Sequence, residues 1–329
     1  MWLPCRNEDD MKIVYMGTPE IAAVILEDML AAGDEIVAVV TQPDRPKGRG
    51  HELACSAVKQ VALAHGLVLH QPEKVKEEEF LSCMETLAPE LIVVAAFGQI
   101  LPKRLLEIPK YGCINVHASL LPKYRGAAPI QYAILNGETQ TGVTIQYMAE
   151  GIDTGDVIAR EVVAIAPQET GGSLHDKLAA AGCVALRRAI GQIADGTVVR
   201  TPQDEASASY VGMLKKEMGR LDFAQPAQVL ERKVRALIPW PGAYTTLSGR
   251  NLKLFRCEVM PLSAKERQRA KENAWGYGTV IAVGRESFTV LTGEDGLAVL
   301  ELQMEGKKRM AAEEFLRGYA MELGTRLGV

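Results

Sequence analysis

At 329 residues and 47% hydrophobic content, the chain is long and apolar enough for two domains with real cores, and no apolar run in it is long enough to cross a bilayer. Six cysteines lie scattered with no close pair, which argues against a disulfide framework or a zinc site and for a reducing cytoplasm. The net charge of −4 is uneven: residues 211–329 carry 19 Lys and Arg against 14 Asp and Glu, compatible with a polyanion partner or with ordinary solvated surface.

Residues 1–10 hold Arg6, Glu8, Asp9 and Asp10 and no apolar h-region, so they are not a signal peptide; with Met11 standing directly before the first strand, they are expected to be a disordered extension or a mis-called start. Residues 12–16 predict a strand, Gly17 a tight turn, and Thr18-Pro19-Glu20 the capped start of a helix that runs to about Ala32 and stops at Gly33. A second strand over 35–41 completes a βαβ unit, without the Gly-x-Gly-x-x-Gly of a dinucleotide site. Residues 42–52 form a Pro- and Gly-rich loop with cations at Arg45, Lys47 and Arg49. Such a loop is either a solvated connection or a flexible arm for phosphates.

A helix over 55–66, a short strand over 67–70, a charged helix over 74–87 and a buried strand over 90–96 follow. Phe97, Gly98, Gln99 and Ile100 lie in the loop at the carboxyl end of that strand, where open α/β sheets bind ligands. The next strand, 111–117, ends in a proline-punctuated loop. A helix over 127–136, a strand over 142–148 leading to Asp153, a strand over 156–165 and a helix over 174–194 complete the first domain, expected over 11–196. Residues 197–210 are polar and irregular and read as a linker. Beyond it, 211–329 predicts one helix, at least five short strands with regular turn signals and a last helix, hence a small β-barrel. Lys307, Lys308 and Arg309 make a compact basic cluster there.

Asn115 and His117 sit two apart on one strand and so face the same side, and Asp153 arrives in a Gly-flanked loop after another strand. An amide offers donors that cannot titrate, an imidazole can donate or accept near neutral pH, and a carboxylate can orient it. No nucleophile elbow or reactive cysteine motif accompanies them. Donors and an acid/base without a nucleophile suit direct acyl transfer, with a tetrahedral oxyanion held by Asn115 and His117 and the protons managed by His117 or Asp153. The same residues could instead cap loops and fill a core position, and spacing alone leaves both readings open.

The run Asn115-Val-His-Ala-Ser119-Leu-Leu-Pro122, continued by Arg125-Gly-Ala-Ala-Pro129 and by Gly151-Ile-Asp-Thr-Gly-Asp156, resembles the signature of the folate-dependent formyltransferases. Met16-Gly-Thr-Pro19, Thr41-Gln-Pro-Asp-Arg-Pro-Lys-Gly-Arg-Gly50 and Ile238-Pro-Trp-Pro-Gly-Ala-Tyr244 narrow the resemblance to the branch that formylates initiator tRNA. The resemblance covers residue 11 to about 320. It implies an α/β, Rossmann-like parallel-sheet domain followed by an OB-like barrel, with 10-formyltetrahydrofolate as donor and the α-amine of Met-tRNA(fMet) as acceptor; no metal is expected, because the five histidines form no ligand-spaced pair with cysteine or carboxylate. It implies a catalytic trio of Asn115, His117 and Asp153. Folate contacts are implied at Ser119, Leu120, Leu121 and Pro122, with the 97–100 loop as a second wall. tRNA contacts are implied at Arg45, Lys47 and Arg49, with the 307–309 cluster as further basic surface. Within the superfamily the acceptor could instead be a nucleotide sugar, a purine ribonucleotide or water. Phe97, Lys123, Tyr132 and His51-Glu52 depart from the usual family residues; the last removes two cations from the basic loop. A monomer in the cytoplasm is expected.

Overall fold

The computed structural model describes residues 11–47 and 52–329, apart from the side chains of 46, 47, 52 and 53, and these residues fall into two compact units. The first comprises the described residues up to 129, with 140–164 and 175–211; the second comprises 130–139, 165–174 and 212–329. No helix among the described residues is long and apolar enough to cross a membrane.

The first unit is built on one seven-stranded sheet. In chain order its elements begin β1 (Ile13–Gly17), α1 (Glu20–Ala32), β2 (Ile36–Val40), β3 (Arg45–Lys47), β4 (Glu52–Ala54), α2 (Ala57–Ala64), β5 (Leu69–His70), α3 (Glu78–Leu87) and β6 (Leu91–Ala95). They continue with α4 (Lys103–Leu106), β7 (Cys113–His117), β8 (Arg125–Gly126), β9 (Gln140–Tyr147), β10 (Val157–Ala164), α6 (Gly171–Ala194, in this unit from residue 175) and β11 (Tyr210–Val211); α5 (Pro129–Leu135), between β8 and β9, falls in the second unit from residue 130. The sheet order is β10-β9-β7-β6-β1-β2-β5. The five strands from β7 to β5 are parallel, and β9 and β10 extend the sheet antiparallel. Every residue of β1 and β6 is buried, as unbroken apolar runs in the middle of a parallel sheet require. Chain order reverses direction between β1 and β6, which creates a crevice beyond the carboxyl ends of β1, β6 and β7.

Phe80, Leu81 and Met84 of α3 and Leu105 of α4 pack with Val14, Met16, Ile92 and Val94 in one buried cluster. α1 buries Ala22, Ile25, Leu26 and Met29 at helical spacing. α6 comes close to both β7 and α1: a Cβ on Gly182 would lie 3.3 Å from Val116 and 3.5 Å from Ile25.

Two local expectations fail. Thr18 does not cap α1; the cap residue is Pro19, and the Thr18 hydroxyl donates to the carbonyl of Phe97 at 3.0 Å. The competing acceptor sits at the end of a neighbouring strand, so a tertiary bond replaces the local one. The stretch 42–52 is not wholly irregular: β3 and β4 pair antiparallel, with Arg45 opposite Ala54. Its base is tied by Lys59, which bonds Asp44 and Gln71.

The second unit adds α7 (Ala227–Ala236), β12 (Ala243–Leu247), β13 (Arg250–Met260), α8 (Ala264–Glu272), β14 (Val280–Val283), β15 (Phe288–Leu291), β16 (Gly296–Met304), β17 (Met310–Ala311) and α9 (Ala312–Gly318). The antiparallel order is β12-β13-β16-β15-β14, with β17 on β16. Residues near the C-terminus span the remaining gap: Leu327 bridges Leu247, the last residue of β12, and Arg326 bridges Thr279 just before β14. Phe288, Val290, Leu297, Val299 and Leu302 fill the barrel, and α7 adds Leu230 and Val234 to the same core.

α8 has no apolar stripe and buries only Ala270, so periodicity could not announce it. Its start is set by a capping box, in which the Ser263 hydroxyl accepts from the Glu266 amide at 3.3 Å and Glu266 accepts from the Ser263 amide at 2.8 Å. Replacing Ser263 by Ala is expected to cost this helix about 1 kcal/mol, read as roughly fivefold faster amide exchange over α8. Unchanged exchange would mean the box contributes nothing.

Candidate active site

The site forms where β7 and β9 run side by side at one end of the first unit. Asn115 pairs across the ladder with Gln146, and His117 with Thr144. Because side chains alternate, Asn115, His117 and Gln146 share one face of the sheet. Asp153 comes from the β9–β10 connection, held in a left-handed backbone conformation with φ of 52°. Its carboxylate is the hub. One oxygen, Oδ1, accepts from Gln146 Nε2 at 3.0 Å and Asn115 Nδ2 at 3.3 Å. The other, Oδ2, accepts from the Gly126 amide at 2.9 Å and lies 3.5 Å from His117 Nδ1. His117 is buried, and its Nε2 faces the carbonyl of Tyr124 at 2.9 Å. Asn115, His117 and Asp153 therefore meet, as the sequence predicts. The second N–H of the half-buried Asn115 has no partner among the described residues.

The turn that presents Asp153 depends on Gly155. A Cβ there would lie 1.7 Å from the carbonyl oxygen of Tyr147, so no other residue fits without moving the loop.

The loop after His117 is fixed by its own polar atoms. Ser119 is fully buried, and its hydroxyl donates to the carbonyl of Lys123 at 2.6 Å. Thr144 Oγ1 donates to the Ser119 carbonyl at 2.7 Å and accepts from the Leu121 amide at 3.0 Å. Arg160 donates to the Leu121 carbonyl at 2.9 Å. Leu121 is buried, whereas Leu120 and Pro122 are half-buried. Ser119 and Leu121 thus shape the loop, and Leu120 and Pro122 retain surface.

The wall at the end of β6 is adjacent because β6 pairs with β7, Val94 lying beside Asn115. The Phe97 side chain belongs to the core, while its carbonyl accepts from Thr18 and from Gln42, the latter at 3.1 Å. Gly98 and Ile100 are exposed. Gln99 accepts from the Val75 amide at 3.0 Å. Burial pushes the thiol of Cys113, two residues before Asn115, up to about 12, so it is no thiolate nucleophile at neutral pH.

Of the basic residues, Arg45 is exposed, whereas Arg49 and the side chain of Lys47 lie outside the described residues. In the second unit Lys307 and Lys308 are exposed. Arg309 binds Glu301 through two nitrogens at 2.7 and 2.6 Å and lies over the Phe255 ring, so part of its charge is already engaged.

Sequence reasoning missed Gln146, Gln203 and the role of Arg125. Arg125 is the largest fully buried side chain among the described residues. It donates to Gln203 at 3.1 and 3.0 Å, to Glu205 at 2.9 and 2.6 Å and to the Tyr210 hydroxyl at 2.7 Å. Its bond to Glu205 pushes the guanidinium pKa up and holds the Glu205 carboxyl below its ordinary range. The stretch expected as a linker carries these partners. Thr201 bridges Val157, and β11 pairs with β8. The Arg125-Gly126 step after the proline loop was the one available signal.

A sequence model of the formyl transferase family matches residues 11–190, and one of the formyl transferase C-terminal domain matches residues 213–320. The chain is 46% identical to a methionyl-tRNA formyltransferase of Geobacter metallireducens over 318 residues, covering 97% of this chain and 99% of that protein. It is 45% identical to the methionyl-tRNA formyltransferase of Agathobacter rectalis, covering 96% and 99% respectively. In fold it is similar to an N-formyltransferase of Helicobacter canadensis, solved with folinic acid and dTDP-3-aminofucose, at a TM-score of 0.63 and 19% identity. That match covers 89% of this chain and 99% of the other.

Proposed function

The chain belongs to the methionyl-tRNA formyltransferase family, and we propose that it moves the formyl group of 10-formyltetrahydrofolate to the free α-amine of Met-tRNA(fMet). The observation that carries this reading is the Asn115 amide. One N–H is spent on Asp153 and the other has no partner among the described residues, so a preorganised donor is free for an oxyanion. The amine nitrogen attacks the formyl carbon, and the carbonyl electron pair moves to oxygen beside Asn115. Collapse of that tetrahedral centre breaks the bond from carbon to N10 of the folate. The attacking nitrogen sheds a proton, N10 gains one, and His117 with Asp153 manages the exchange, directly or through water.

Both ring nitrogens of His117 already face acceptors, the Tyr124 carbonyl and the Asp153 carboxylate. Giving a hydrogen bond to the oxyanion would cost His117 one of them. The oxyanion is therefore assigned first to Asn115. The folate lies along the 97–100 wall and the 119–122 loop. Arg45, Lys47, Arg49, Lys307, Lys308 and Arg309 supply charge for the tRNA phosphates. Such a protein works in the cytoplasm, as a monomer.

The test is formyl transfer to charged initiator tRNA beside charged elongator tRNA, with tRNA binding measured at about 50 and 200 mM salt. The initiator should be formylated and its binding should weaken steeply with salt. Transfer to a nucleotide-sugar amine instead, or binding indifferent to salt, would overturn the tRNA reading.

A further inference from the structure

We propose that Gln203 is a positioning residue for Asp153 and that the buried Arg125 sets its polarity; the proposal rests on the reaction assigned above. A glutamine amide looks nearly the same either way round, so its direction comes from its neighbours. A guanidinium can only donate. Two Arg125 nitrogens point at one end of Gln203, at 3.1 and 3.0 Å, so that end is the carbonyl oxygen. The Nε2 end then points at three acceptors: the Asp153 carbonyl at 2.8 Å, the Gly155 carbonyl at 2.7 Å and Gln146 Oε1 at 3.1 Å. With its oxygen so occupied, Gln146 must turn its own Nε2 toward Asp153 Oδ1, at 3.0 Å.

Direction is thus handed along four side chains, from a cation to the hub carboxylate. The same Gln203 amide ties down the backbone of the turn that holds Asp153 in its left-handed conformation. Arg125 is itself fixed by Glu205 and Tyr210, and the amide of the next residue, Gly126, donates to Asp153 Oδ2. Gln203 touches Asp153 through its carbonyl and through Gln146 rather than at the carboxylate, so it acts by placement. The titratable group facing the carboxylate directly is His117; Arg125, Glu205 and Tyr210 stand behind Gln203.

Gln203→Leu keeps the bulk of the side chain and removes its hydrogen bonds. It is expected to lower kcat for formyl transfer by about 30-fold while KM for the formyl donor stays within about twofold, since chemistry-competent placement and not binding is lost. In an Asp153→Ala background the same substitution should cost less than about threefold, because a residue that acts through Asp153 has nothing left to place. Should Gln203→Leu fail to fold, Gln203→Glu carries the same expectation, because it keeps an acceptor for Arg125 and loses the amide donor. A wild-type kcat in either variant, a rise in KM matching the loss in kcat, or equal losses with and without Asp153 would overturn the proposal. A wild-type protein that forms no formylmethionyl-tRNA would instead sink the reaction assignment, and this proposal with it.

Discussion

Asn115→Ala is expected to slow single-turnover formyl transfer by about 10²–10³-fold, near 3–4 kcal/mol of barrier, with binding of the formyl donor little changed. The size follows from the location. Asn115 sits on a strand whose neighbours on both sides are paired, so its backbone is fixed before substrate arrives. Its side chain is held by one bond to Asp153, which fixes the amide and leaves the second N–H without a partner among the described residues. A donor that need not reorganise gives its full value in the transition state and little in the ground state, so kcat should fall and KM should not. Asn115→Asp is the sharper variant. It keeps the shape, replaces the amide donor with a carboxylate, and sets a second negative charge beside Asp153. A rate within tenfold of wild type in both variants would remove Asn115 from oxyanion stabilisation.

Gly155→Ala should cost transfer about 10²-fold or more, although it adds one methyl group and touches no proposed substrate contact. The added carbon would stand 1.7 Å from the Tyr147 carbonyl oxygen, and contacts of that kind are not tolerated below about 3 Å, so the turn must retreat by more than about 1 Å. Asp153 lies two residues away and would move with it, away from Asn115, His117 and Gln146 together. The Gly155 carbonyl is also one of the three acceptors of Gln203, so the same shift loosens the turn from its holder. The barrel shares no residue with this turn, so Gly155→Ala should leave amide exchange over 280–304 as it is in wild type. Retention of more than about a tenth of the wild-type rate would show that the carboxylate tolerates displacement.

What the sequence made legible follows the range of the interactions involved. Asn115 and His117 could be put on one face because strand alternation is a local rule, and Asp153 could be put in a turn because Gly151 and Gly155 flank it. Buried parallel strands such as Leu91–Ala95 announce themselves by continuous apolar residues. Gln203 could not be found this way: its partners Gln146, Asp153, Gly155 and Arg125 lie 48 to 78 residues away, and its own neighbourhood is polar and unpatterned. Thr18 misled for the same reason in reverse, since a good local cap residue was claimed by a carbonyl 79 residues on. The polar helix Ala264–Glu272 escaped because it lacks an apolar stripe, although Ser263 and Glu266 spell its start.

The segment 201–211 changes what counts as a separable part of this chain. By composition it is a joint, the natural place to cut a gene or to splice the N-terminal part of one relative onto the C-terminal part of another. By bonding it is the last piece of the first unit: Ser209 caps the Tyr124 amide at 2.8 Å, Tyr210 and Val211 add a short parallel ladder to Arg125 and Gly126, and Gln203 closes on the Asp153 turn. A splice made at residue 197 would join a carboxylate from one lineage to a holder from another. A splice made after residue 211 would carry the whole inherited set across intact.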